Sequence, residues 1–186
     1  MASRTRSAAA GFTLLELAMV MAILALMVVV VGTRLDGLLP GKALAADARA
    51  IGSMIELARG NAASRGRVYA IRYDLEAGTY QLFGPPPKEL AEQDPTGTGG
   101  PGPWGLYPGL RKSLGRGIRF RAIQPMGLDL QQGGELAVRF DPLAIEGSHI
   151  VYLENEDGEV YSVKYNALTG LADFSPGEAV FEGNDG

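Results

Sequence analysis

The sequence predicts an α+β protein: a long N-terminal helix, first a transmembrane span and then an amphipathic stretch, followed by an antiparallel β-sheet domain. Three observations carry this. Residues 12–32 are apolar apart from Glu16, residues 43–63 repeat apolar side chains at helical spacing, and from residue 68 onward short alternating segments are separated by turn residues.

Composition sets the bounds. Of 186 residues, 46% are hydrophobic and 20% charged, and setting a membrane span aside leaves about 120 to 140 residues, enough for one modest domain. There is no cysteine, which excludes disulfides, thiolate metal sites and cysteine nucleophiles. The formal charge is −4, and removing a leader with Arg4 and Arg6 takes 17 basic residues to 15 against 21 acidic ones, or −6. That balance argues against a general nucleic-acid binder. The charge is also uneven: residues 140–186 hold ten carboxylates and one lysine, Lys164, while Arg111, Lys112, Arg116, Arg119 and Arg121 lie together with no acid among them.

The segment FTLLELAMVMAILALMVVVVG, residues 12–32, is 21 residues with one charge, and at ~1.5 Å per residue it spans the ~30 Å hydrocarbon layer as a helix. Arg4 and Arg6 before it keep the N-terminus cytoplasmic and send the chain after Arg34 outward. A cleaved signal peptide or a plain signal anchor is the competing reading. A signal peptide, however, has an apolar region of roughly 7 to 15 residues followed closely by a small-x-small site, and here the first fair candidate, Ala43-Leu44-Ala45, lies well past the apolar run. Glu16 also needs a partner, because a charge near the bilayer centre costs ~2.5 to 3.5 kcal/mol even on the lenient insertion scale. A cut between Gly11 and Phe12 would create a positive amine four residues before it.

Gly11-Phe12-Thr13-Leu14-Leu15-Glu16 resembles the prepilin processing motif of type IV pilins and type II secretion pseudopilins, with its short basic leader, its Gly before Phe, its Glu five residues into the mature chain and its immediate apolar helix. The resemblance implies cleavage after Gly11 and N-methylation of Phe12 by a prepilin peptidase, with Glu16 guiding docking into a helical filament. It implies as partners other pseudopilins, major and minor, and an inner-membrane assembly platform. The implied location is the inner membrane, single-pass, with the globular domain in the periplasm.

After the span, Pro40-Gly41 is expected to kink or interrupt the helix. Residues 43–63 then put Leu44, Ala48, Ile51, Ile55 and Ala62 on one side, with Asp47, Arg49, Glu56 and Arg59 elsewhere. Residues 61–66 are expected to lead out of the helix. Strands are expected over residues 68–73 and 79–83 around a turn at 75–78, and over 117–123, 135–140, 148–154, 159–166 and 171–174, with Asp157-Gly158 as a tight hairpin turn. Residues 84–110 hold seven of the eleven prolines and seven glycines, so they read as a long surface loop. The resulting domains are a leader at 1–11, a transmembrane helix at 12–32, a kinked continuation at 33–66 and a β domain at 67–186. LARGNAASRGRVYAIRY (residues 57–73) and residues 138–170, with FDPLAIEG and NALTG, look like minor pseudopilins of the H type. Major pilins commonly carry a C-terminal disulfide, and major pseudopilins are often shorter with a calcium-binding loop; this chain shows neither pattern.

No residue pattern points to catalysis, a metal or a cofactor. Residues 97–102, Gly-Thr-Gly-Gly-Pro-Gly, satisfy the letter of a dinucleotide fingerprint but follow no strand and open no helix. His149, the single histidine, begins a strand and reads as structural. Glu154, Glu156, Asp157 and Glu159 crowd a turn without a calcium-loop spacing, which describes a solvated hairpin tip. Arg116, Arg119 and Arg121 are the candidates for phosphate or DNA contact, with Trp104 and Tyr107 before them as stacking groups. They sustain the second reading, a type IV pilus minor pilin that binds DNA during uptake. Against it, Arg119 and Arg121 alternate with Ile118, Phe120 and Ala122 as an ordinary strand with one wet face would. The leading reading is a structural, non-enzymatic minor pseudopilin, with nucleic acid not expected as a partner.

Overall fold

The computed structural model describes residues 14–35 and 39–181, with side chains over 14–27 and 41–181. The chain divides into two compact units between Leu39 and Pro40.

The first unit holds helix α1 (Leu14–Leu35). Its described side chains are exposed all round: Leu14 at 88%, Leu15 at 81% and Leu26 at 68%. A helix apolar on every side belongs in lipid or among other helices rather than on a water-facing surface. Among the described residues no helix is long and apolar enough to cross a membrane; the expected span over residues 12–32 extends past the described side chains at both ends.

The second unit holds α2 (Leu39–Arg65) from Pro40 onward. Pro40 falls in its first turn, where the missing N–H has no helical acceptor to lose. The helix is not interrupted at Pro40-Gly41 as expected: both residues lie inside α2, and residues 36–38 between α1 and α2 lie outside the described residues. Leu44, Ala48, Ile51, Ile55 and Ala62 are all buried, as the periodicity predicts, and Met54 and Ala58 join them. The helix runs two residues past the 43–63 pattern, through most of the expected exit at 61–66, to Arg65, and Gly66, at φ 61°, caps it in the left-handed conformation.

Eight strands follow among the described residues: β1 (Tyr69–Asp74), β2 (Thr79–Gly84), β3 (Tyr107–Ser113), β4 (Ile118–Pro125), β5 (Glu135–Phe140), β6 (His149–Asn155), β7 (Val160–Asn166) and β8 (Leu171–Pro176). They form two four-stranded antiparallel sheets, ordered β3-β2-β1-β5 and β4-β6-β7-β8. One core joins the buried stripe of α2 to both: Ile71, Tyr73, Leu82 and Phe140 from the first sheet, Phe120, Ile123, Val151, Leu153 and Val163 from the second. The opposite faces are covered separately. Leu106 packs with Ala70 and Phe83 on the first sheet, and Ala179 and Phe181 pack against Ala122, Ile150 and Tyr152 on the second.

Two expectations change. The loop assigned to residues 84–110 ends earlier, because Tyr107–Ser113 is strand β3, paired with β2 as Gln81↔Arg111 and Phe83↔Pro108. A proline is admissible there because β3 lies at the sheet edge, where one side of the strand needs no donor. The alternation across β4 also fails at Arg121. Phe120 pairs with Leu153 and Ala122 with the adjacent Tyr152, so Arg121 is the extra residue of a bulge. Phe120 and Ile123 consequently face the main core, while Ala122 faces the other side of the sheet.

Candidate functional site

The assembly segment is only partly described. Gly11 and Phe12, the expected cleavage and methylation positions, lie outside the described residues. Glu16 sits in the first turn of α1.

The structure divides the basic group between two sheets. Arg111 and Lys112 lie on edge strand β3, Arg119 and Arg121 on edge strand β4, and Arg116 in the connection between them. Each member of β4 has a carboxylate: Arg119 Nη2 lies 3.1 Å from Glu154 Oε2, and Arg121 Nη2 lies 2.6 Å from Glu178 Oε1. Arg111 Nη2 donates to Thr79 Oγ1 at 3.1 Å. Trp104 and Tyr107 do not form a stacking platform with them. Tyr107 donates its hydroxyl to Asp94 Oδ2 at 3.1 Å, and Trp104 belongs to a short 3₁₀ turn, Pro103–Gly105.

His149 is fully buried in a cage of Tyr73, Phe140 and Tyr165. Its Nδ1 is 2.6 Å from the Gly147 carbonyl, which can only accept, so Nδ1 carries the proton and Nε2 accepts from the Tyr73 hydroxyl at 2.9 Å. Burial drives the imidazole pKa down to about 4 against the upward pull of the Gly147 carbonyl. Burial likewise raises the Tyr73 phenol far above its ordinary value. The ring is a neutral structural strut with both nitrogens engaged.

The glycine-rich stretch is organised by Asp94, which sequence reasoning passed over. Its Oδ1 accepts from Thr96 Oγ1 at 2.8 Å and from the Gly97 amide at 2.9 Å; its Oδ2 accepts from the Gly99 amide at 2.7 Å and from Tyr107. Donation by the Gly99 amide, then by the Thr96 hydroxyl, holds the carboxyl down at about 2 against the effect of burial. The backbone amides that would have cradled a phosphate thus already face a carboxylate. An aspartate followed by Thr and Gly at short spacing was the available signal, since such side chains bond to amides just downstream. At the β6–β7 hairpin, Asn155 Oδ1 accepts from the Asp157 and Glu159 amides at 3.1 and 2.9 Å. Among the described residues no group of three or more potential ligands is placed to hold a metal ion.

The family model of the prokaryotic N-terminal methylation motif matches residues 6–32. Two solved structures of the minor pseudopilin EpsH from the type II secretion system of Vibrio cholerae match the fold. One has a TM-score of 0.54 at 12% identity, covering 75% of this chain and 98% of that one. The other has a TM-score of 0.50 at 10% identity, covering 72% and 96%. The fold is that of a minor pseudopilin. No curated protein matches the sequence. The pseudopilin fold agrees with the expected α+β class, a long helix ahead of antiparallel sheets. It is joined in one chain to a methylation motif that ends at residue 32, before α2 and the sheets begin.

Proposed function

We propose that the chain is a non-enzymatic minor pseudopilin of the H type, a structural subunit of a type II secretion pseudopilus. The observation that carries this reading is the union of a methylation motif at residues 6–32 with a minor-pseudopilin fold over the chain that follows. In this reading a prepilin peptidase cuts after Gly11 and Phe12 acquires an N-methyl group. The apolar helix holds the protein in the inner membrane with its β domain in the periplasm, and on extraction that helix bundles with those of other pseudopilins on the assembly platform. Its exposed apolar surface supports this role, because such a surface must exchange lipid for helix partners to leave the bilayer. Glu16 would then meet the methylated amine of Phe12 on its own or a neighbouring subunit. The engagement of Arg119 and Arg121 by Glu154 and Glu178 weighs against the DNA-binding pilin reading, because a phosphate would have to displace both carboxylates.

Intact-mass measurement and N-terminal sequencing of membrane-extracted protein test the reading. The expected product starts at Phe12 and carries one extra methyl group. A chain still starting at Met1, or one starting at Ala46, would overturn it.

A further inference from the structure

A cleft of about 290 Å³ opens beside the first sheet, where the end of α2 and the start of β1 meet the glycine-rich loop and β5; its walls include Arg67, Val68, Pro85, Trp104, Leu106 and Arg139. Two guanidinium groups in one concavity are unusual for a chain of charge −4. Arg67 has no carboxylate at ion-pair distance among the described residues, and Arg139 has one, Glu146, at a looser distance than the pairs of Arg119 and Arg121. Arg67 donates only to backbone carbonyls, those of Thr96 at 3.2 Å and Pro95 at 3.5 Å. Arg139 Nε lies 3.6 Å from Glu146 Oε2, too far for a hydrogen bond, and this buried nitrogen has no acceptor.

The third wall adds an apolar contact. Trp104, the single tryptophan of the sequence, holds φ 52°, a conformation that L residues rarely adopt outside Asn and Asp, and is 50% exposed. The turn that holds it there is fixed from both sides: a Cβ on Gly105 would lie 1.8 Å from the Thr98 carbonyl oxygen, and one on Gly102 would lie 2.2 Å from the Phe83 ring. Strain maintained by such packing places a large aromatic surface beside the two cations.

We propose that this cleft binds an acidic peptide segment, with Arg67 and Arg139 holding a carboxylate and Trp104 covering the neighbouring apolar side chain. The paired charges call for an anion, and Val68, Pro85 and Leu106 call for an apolar group attached to it. Nucleic acid fits less well, because a backbone needs a track of cations, and Arg119 and Arg121 are committed to carboxylates elsewhere. The site does not depend on whether the chain joins a filament.

Trp104 makes the test direct. Full-length protein in detergent is titrated with acetyl-Leu-Asp-Phe-Glu while tryptophan emission is followed, in parallel with its C-terminal amide, with the uncharged Asn/Gln version that is also amidated at its C-terminus, and with an oligothymidylate. A saturable change with the acidic peptide is expected, at least about tenfold weaker with the Asn/Gln peptide and with either Arg67→Gln or Arg139→Gln. Amidation separates the two sources of the carboxylate: loss of binding assigns the chain terminus, and retention assigns a side chain. Should Arg67→Gln shift the emission of the unliganded protein by disturbing the loop, Arg139→Gln decides. Absence of saturation up to roughly 10 mM, equal binding of the neutral peptide or of oligothymidylate, or full affinity in Arg139→Gln would overturn the proposal.

Discussion

His149 gives the β domain a specific sensitivity to mild acid. In the folded state its pKa is about 4 because burial disfavours the imidazolium, whereas in the unfolded chain it returns to the ordinary 6.5. Between these values the unfolded state binds a proton that the folded state refuses, so stability falls as pH falls below 6.5 and levels off below 4. At ~1.4 kcal/mol per pH unit the full effect is about 3 kcal/mol, of which about 2 kcal/mol is lost by pH 5. That is a large share of the ~5–15 kcal/mol by which domains are stable. The effect is readable because the chain has one histidine. Urea unfolding of a fragment starting at Lys42, followed by far-ultraviolet circular dichroism at pH 7.5, 6 and 5, measures it. The fragment retains every residue of the main core, which starts at Leu44. His149→Gln can still donate to Gly147 and accept from Tyr73 but cannot titrate, so its pH slope should vanish over this range. If His149→Gln keeps the wild-type slope, or if the imidazole of the folded protein titrates near 6.5 by NMR, the burial argument is refuted.

Other outcomes follow from the same structure. Glu16→Ala should leave leader cleavage and insertion intact, since removing a charge from an apolar helix lowers its membrane cost. It should lose co-purification with other pseudopilins, and full assembly would show that Glu16 is not needed for docking. Asp94→Asn should speed hydrogen exchange at the Gly97 and Gly99 amides, whose acceptor loses its charge. The wild-type loop should retain its protection until pH falls from the ordinary carboxyl range towards about 2, as the contribution of a carboxyl with a lowered pKa disappears only on protonation. Gly105→Ala should cost ~2 kcal/mol or more in a denaturation experiment, because the position has φ 72° and the new Cβ would strike the Thr98 carbonyl.

The parts of the fold legible in the sequence are those governed by a local period. The buried stripe of α2 and strands such as Glu135–Phe140 follow from side-chain spacing alone. What escaped depends on distant neighbours. Tyr107–Ser113 looks like loop because Pro108 and Gly109 suppress strand propensity, and its edge position, which excuses them, is a property of the whole sheet. The division into two sheets is equally nonlocal, as is the bulge at Arg121, which appears only when β4 is laid against β6. At the N-terminus the motif was readable because its chemistry lies in consecutive residues. The cleft of Arg67, Trp104 and Arg139 joins positions far apart in the sequence, and no pattern within one segment announces it.

The shared core also determines how the domain carries load. Among the described residues no strand pairing joins the two sheets; they meet through side chains, as Tyr73 does with Phe120 and His149, and α2 adds its buried stripe to that common core. From Leu44 to Ala62 that contact extends over roughly 27 Å of helix. A pull along the axis of α2 is therefore resisted in shear by seven buried side chains together, and both sheets are loaded at once. A pull across the axis would peel them away one turn at a time. A domain built this way is stiff in the direction of its helix and weaker crosswise.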